Sequence, residues 1–183
     1  MKVRRRREHR KYTLERLVKE NDWTYGAELG VLKGDTFLHL LRTCPHLRLI
    51  GVDTWAPDYS QEDRRAEGGR TYADHPLEGY YKAIRAALAA EGLADRAMLK
   101  RTTTQSAARS IKNSSLDFVF IDADHTYEGV AADIDGWQRK VRPGGMILGH
   151  DYNPRDFPGV VQAVNERFAS VLLFPDHVWA VEC

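Results

Sequence analysis

The chain has 183 residues, 43% of them apolar and 29% charged, with 27 Lys and Arg against 26 Asp and Glu. That size suits one domain with a buried core, and a net charge of +1 excludes a general attraction to nucleic acid. No apolar run is long enough to cross a bilayer, and two cysteines, Cys44 and Cys183, suit free thiols in a reducing cytoplasm rather than a disulfide framework.

The charge is uneven along the chain. Residues 1–11, MKVRRRREHRK, hold seven Lys or Arg and one acid. They read as a flexible basic arm, either solvated or touching phosphate, ahead of a single domain over residues 12–183. No apolar run follows the arm, so a secretory signal is not expected. A short helix is expected over residues 13–20 and a first strand over 23–29. Residues 34–43 form a helix with Asp35 as its cap, and LRLIGV, residues 47–52, a second strand. A polar stretch follows over 53–74, too long for an ordinary connection. Leu77, Tyr81, Ile84 and Leu88 share one helix face, and Gly92 suits that helix's end. A third strand spans 97–100 and a short helix 105–111.

LDFVFI, residues 116–121, is near-continuously apolar, as a parallel strand covered on both faces must be. Tyr127, Val130, Ile134 and Trp137 then mark a helix, and residues 146–149 a fifth strand. Val160, Val161, Val164 and Phe168 mark another helix. Two short strands, 171–174 and 177–181, close the chain around Pro175-Asp176. Strands alternating with helices imply an α/β fold. The expectation is one doubly wound, Rossmann-like, mostly parallel seven-stranded sheet, with helices on both faces and a C-terminal antiparallel hairpin.

Open α/β sheets bind ligands at the carboxyl ends of their strands. Five ionisable groups collect there: Asp122, Asp124 and His125 after the fourth strand, and His150 and Asp151 after the fifth. Asp124 is read as capping the next helix. At the first strand's end, Glu28, Gly30 and Gly34 form a turn that a ligand can approach closely. Asp53 ends the second strand, 23 residues after Gly30, where a carboxylate can accept from both ribose hydroxyls. Together these features point to a nucleoside site; the alternative is that Gly30 and Gly34 serve only a tight turn and helix packing. A dinucleotide would set its pyrophosphate on this helix N-terminus, but Glu28 and Asp35 oppose a diphosphate there. An acidic turn suits S-adenosylmethionine, whose ammonium and sulfonium lie beside the ribose.

The order Glu28-x-Gly30-x-x-x-Gly34, Asp53, FIDADH, GGMILGHDY and a closing hairpin resembles the class I S-adenosylmethionine-dependent methyltransferases. GVDTW, FIDADHTYE and the segment 144–152 resemble the branch that contains the macrocin and mycinamicin sugar O-methyltransferases. The resemblance runs from about residue 25 to the C-terminus. It implies that Glu28 and Gly30 contact the methionine part of the cofactor, that Asp53 binds the ribose, and that Thr104 lies near the adenine. It leaves Trp55 either against the adenine or packed within its loop. It implies Mg²⁺ held at the positions of Asp122, His150 and Asp151; His150 stands where the branch has an acid, a departure that leaves Mn²⁺, another transition metal or no metal open. His125 occupies the position of the branch's general base, and a histidine titrates in the right range for that task.

The expected function is metal-assisted O-methylation of a small sugar, polyol or catechol-like acceptor. Three other functions compete with it: a nucleic-acid methyltransferase using the basic arm, an NAD-linked oxidoreductase, and a cofactor-binding protein without catalysis. Acceptor choice is expected in the insertion 56–74 and in residues 153–158. Tyr152 either packs under that second loop or lines the acceptor pocket.

Overall fold

The computed structural model describes residues 9–56 and 76–183. Helix α1 (Arg10–Glu20) precedes strand β1 (Tyr25–Leu29), helix α2 (Asp35–Thr43) and strand β2 (Arg48–Asp53). Helix α3 (Leu77–Ala90), strand β3 (Ala97–Arg101), helix α4 (Thr104–Arg109) and strand β4 (Leu116–Ile121) follow. Helix α5 (Tyr127–Trp137), strand β5 (Val141–Gly149), helix α6 (Pro158–Arg167) and the strands β6 (Leu172–Phe174) and β7 (Val178–Glu182) complete the chain. Most of the expected insertion, residues 57–75, lies outside the described residues. Among those described, no helix is long and apolar enough to cross a membrane.

The seven strands form one sheet in the order β3-β2-β1-β4-β5-β7-β6. β1 to β5 run parallel, and β7 is antiparallel to both β5 and β6. Alternation with period two splits the apolar residues between two faces. Phe118, Phe120 and Leu148 join Leu14, Leu17, Phe37 and Ile84 on one side. Val119, Ile121 and Ile147 join Ile134, Trp137, Val164 and Trp179 on the other. Both faces are therefore dry, as a parallel sheet requires.

The order of strands reverses between β1 and β4, a topological switch point of the kind that opens a crevice at the carboxyl edge. Register places the groups there. Val52, Leu29, Ile121 and Gly149 lie in one row across the sheet. The amides of Gly30, Asp122 and His150 continue the ladder by one residue, bonding Val52 O, Leu29 O and Ile121 O. Side chains just past that row leave the sheet together.

Several local expectations are corrected. α1 starts at Arg10, so the expected boundary between residues 11 and 12 falls inside a helix. The cap of α2 is Gly34 in the left-handed region, with Asp35 in the first turn instead. Thr126, not Asp124, caps α5 by accepting from Gly129 N; Asp124 Oδ1 accepts from Thr126 N and so shapes the turn before the cap. β5 begins five residues before the expected Met146, because Arg142-Pro143-Gly144-Gly145 continues the strand through a register shift opposite β4 rather than forming a separate turn.

Gly149 faces Trp179 across the β5–β7 pair. A Cβ there would sit 2.5 Å from the indole, and the backbone on which it stands is the row that carries His150. Gly149→Ala should cost roughly 1–3 kcal/mol through overpacking, lowering Tm by about 2–4 °C for each kcal/mol. A thermal melt at neutral pH checks this, and an unchanged Tm would contradict the packing described.

Candidate active site

A cleft of about 410 Å³ opens at the carboxyl edge, within the usual range for a small-molecule site. Its lining includes Glu28 to Lys33 apart from Leu29, Asp53, Thr104, Gln105, Asp122 to His125, His150 and Asp151. The sequence-expected groups thus converge, with two exceptions given below.

One wall is the β1–α2 loop. Asp53 Oδ2 accepts from Val31 N at 3.0 Å and Leu32 N at 2.9 Å, and Oδ1 accepts from Trp55 N at 2.7 Å. One carboxylate therefore fixes both its own strand end and the neighbouring loop. Leu32 is held at a left-handed φ of 46°, a conformation a bulky residue adopts only when its surroundings impose it. Gly30, at φ 84°, passes so close to the Asp122 carbonyl that any Cβ would overlap it. Here glycine is required both by conformation and by space.

The second wall is the acid–histidine cluster. His125 Nε2 is 2.9 Å from Asp151 Oδ2 and 3.7 Å from Asp122 Oδ1. His150 Nδ1 lies between the same carboxylates, 3.0 Å from Asp151 Oδ1 and 3.3 Å from Asp122 Oδ1. Arg10 Nε stands 3.0 Å from Asp122 Oδ2. Burial opposes ionisation of Asp122, but the bonds to His125 and His150 and the charge of Arg10 outweigh it and hold the carboxyl well below the usual range. Burial likewise works against the charged form of His150, yet Asp122 and Asp151 push its pKa up to about 9. Asp151 is held low by the same two histidines, against its burial. Near neutrality the cluster thus pairs two carboxylates with Arg10 and an imidazolium at His150.

Glu28 behaves differently. It is 2% exposed, and burial followed by the charge of Asp122 pushes its carboxyl well above the usual range. Its Oε2 has no hydrogen-bond partner among the described residues. A buried acid without a donor is costly to ionise, and Glu28 sits in the lining of the cleft in that state.

Two expected residues do not face the cleft. Trp55 is buried, its Nε1 donating to Leu32 O at 2.9 Å and its ring packed on Tyr81. It supports the loop from behind, which is the packing alternative. Gly34 serves the α2 turn at φ 82°, with Ile84 where a Cβ would be. Thr104 does line the cleft, but its hydroxyl donates to Asp133 Oδ1 at 2.5 Å. Tyr152 donates to Asn165 Oδ1 at 2.7 Å, and packs against the α5–α6 face.

Four contributors were missed. Arg10 reaches the cleft from the segment read as an arm. Asp176, in the β6–β7 turn, accepts from Arg10 N at 2.9 Å and approaches His150 Nε2 at 3.7 Å. Phe157 lies against His125 with ring centroids 5.0 Å apart. Asp133 on α5 holds both Thr104 and Gln105 from below. Only Asp133 had a sequence signal: a charged residue one position before Ile134 on an otherwise apolar helix face.

Burial raises the pKa of Asp133 to about 7, against the bond from Thr104. The folded protein therefore keeps a proton that the unfolded chain releases near its ordinary 3.8. Stability supplied by this group is lost as pH rises from about 4 to about 7, and is level above that. Asp133→Asn should remove that slope, a difference on the order of a few kcal/mol between the two ends of the window. Urea denaturation of both proteins across pH 4.5–8 measures it; parallel curves would contradict it.

Known proteins carry the same framework. A calicheamicin methyltransferase, CalS11, superposes with a TM-score of 0.70 at 18% identity, over 94% of this chain and 77% of its own. An O-methyltransferase from Bacillus cereus in complex with S-adenosylhomocysteine gives 0.65 at 18% identity, over 95% and 80%. The S-adenosylhomocysteine-bound methyltransferase PaMTH1 of Podospora anserina gives 0.64 at 16%, over 94% and 77%. At those identities the likeness shows the fold. In sequence, an uncharacterized protein of Sinorhizobium fredii, y4gI, is 36% identical over 59 residues, which are 32% of this chain and only 6% of that protein. The model of the family described as a methyltransferase domain matches residues 27–152, more than half of the chain and every strand-end residue from Glu28 to Asp151. The chain belongs to the methyltransferase-domain family and shares its fold with those methyltransferases.

Proposed function

We propose that the protein moves a methyl group from S-adenosylmethionine to a hydroxyl of a small sugar, polyol or catechol-like acceptor. The observation that supports this best is the placing of His125, His150, Asp122 and Asp151 in the same cleft as the Glu28–Leu32 loop and Asp53. The methionine part of the cofactor lies at Glu28 and Gly30, the ribose at Asp53, and the adenine beside Thr104 and Gln105. Three amides already occupy Asp53, whose carboxylate has about four acceptor positions. It therefore takes one ribose hydroxyl rather than both. Glu28, Asp35, Asp53, Asp122 and Asp124 all line the cleft, a poor setting for the diphosphate of a nicotinamide dinucleotide.

The sulfonium already activates the methyl group, so the protein has to align the acceptor and remove its proton. Alignment saves entropy worth several kcal/mol. His125 takes the proton, and Asp151 beside Nε2 stabilises the imidazolium that results. Phe157 packs beside that imidazole at a tilted angle.

A divalent cation fits the cluster in kind. Asp122, His125 and Asp151 each offer one donor atom within 4.8 Å of the others, and His150 Nδ1 lies between the same carboxylates. Asp122, Asp151 and His150 would hold Mg²⁺ or Mn²⁺, the nitrogen donor favouring Mn²⁺. When bound, the ion supplies Lewis-acid polarisation of the acceptor oxygen. A proton on His150 and such an ion compete for one place.

His125→Ala should lower methyl transfer roughly a hundredfold while leaving affinity for S-adenosylhomocysteine unchanged. A panel of catechols, free sugars and polyols, read by formation of S-adenosylhomocysteine, gives the rate. An acceptor methylated at the wild-type rate by the variant would remove His125 as the base.

A further inference from the structure

Arg10 lies outside the matched methyltransferase region, residues 27–152, yet its side chain lines the same cleft as Glu28 and Asp122. Its position is built. It opens α1, its backbone N–H is tied to Asp176 Oδ2, and the helix is anchored through Leu14, Leu17 and Val18 in the core shared with α2. Its Nε pairs with Asp122 Oδ2, and among the described residues no other acid lies within ion-pair distance of it. A guanidinium carries five N–H donors in a rigid fork. One carboxylate uses at most part of that fork, which leaves donors suited to a second, planar anion.

The neighbouring groups define which anion. Lys33, His125 and His150 also line the cleft. Both histidines are committed to Asp151 and Asp122, and the Lys33 ammonium sits 5.7 Å over the Tyr80 ring. Arg10 remains, within the electrostatic field of Glu28, whose Oε2 lacks a donor. An acid in want of a donor beside a guanidinium with donors to spare matches a zwitterion. Its ammonium meets the acids and its carboxylate meets the fork. The N-terminal end of α1, eleven residues long, adds positive potential on the same side.

On the footing of the cofactor assignment above, we propose that Arg10 recognises the α-carboxylate of S-adenosylmethionine, while Glu28 and Asp122 receive its ammonium. The N-terminal segment is then part of the cofactor site, reaching it from outside the family's shared region. A carboxylate on the acceptor would present the same chemistry to the fork, and the choice of ligands below separates the two sources.

The test is calorimetry on the full chain and on Arg10→Gln and Arg10→Lys, with S-adenosylmethionine and its decarboxylated form. The second ligand keeps the ammonium and the sulfonium and lacks only the carboxylate. The wild-type protein should prefer S-adenosylmethionine by roughly tenfold to a hundredfold. Arg10→Gln should bind the two alike, Arg10→Lys should keep part of the preference, and the decarboxylated ligand should bind all three proteins equally. That last equality separates a lost contact from a lost fold. An Arg10→Gln protein with the wild-type preference overturns the proposal and leaves the fork to an acceptor carboxylate. Equal losses for both ligands overturn it too, in favour of a purely structural ion pair with Asp122. Wild-type protein that binds neither ligand overturns the cofactor assignment and the Arg10 proposal with it.

Discussion

A carboxylate buried at the end of a strand stays ionised only if the protein brings counter-charges to it, and Asp122 imposes that requirement on the whole carboxyl edge. Its partners come from three separate elements: Arg10 from α1, His125 from the β4–α5 connection, and His150 from the end of β5. The strand order makes this meeting possible, because β1, β4 and β5 are neighbours and end in one row. Gly30 is the counterpart constraint, since the backbone of β1 must pass directly under the Asp122 carbonyl. The cleft exists where these two demands coincide.

The binding surface is fixed before any ligand arrives. Leu32 and Asp151 stand at left-handed φ values of 46° and 58°, and Trp55 at 42°. Each such residue costs on the order of 1–3 kcal/mol. Asp53 holds Leu32 and Trp55 through their amides, and Trp55 in turn bonds Leu32 O. The strain at Leu32 and Trp55 is thus offset by a closed ring of hydrogen bonds, leaving the loop amides preorganised around one volume. Preorganisation of this kind favours tight binding because less ordering remains to be done.

The sheet and the strand-end acids were legible because both follow from local pattern. LDFVFI is short, near-continuously apolar and rich in β-formers, the pattern of a strand dry on both faces, and acids placed directly after such strands emerge at the carboxyl edge. Arg10 was not legible. Seven basic residues in eleven resemble a solvated tail, and nothing local says that α1 begins within them or that its first turn meets the β6–β7 hairpin. Trp55 was left between two readings, and the structure takes the packing one. GVDTW puts an aromatic beside a strand-end acid, but the left-handed turn at residue 55 sends the indole back into the core. The caps of α2 and α5 were displaced by one and two residues from the expected Asp35 and Asp124, since the left-handed turn at Gly34 starts α2 ahead of Asp35 and the Thr126 hydroxyl takes the Gly129 amide.

Everything proposed for the acid–histidine cluster depends on which nucleoside occupies the cleft. Calorimetric titration of the purified chain with S-adenosylhomocysteine, with and without Mn²⁺, and with NADH in parallel, decides it most directly. The account predicts one site for S-adenosylhomocysteine, filled without added metal, and no heat from NADH. Binding of NADH, or no binding of S-adenosylhomocysteine under either condition, would contradict it.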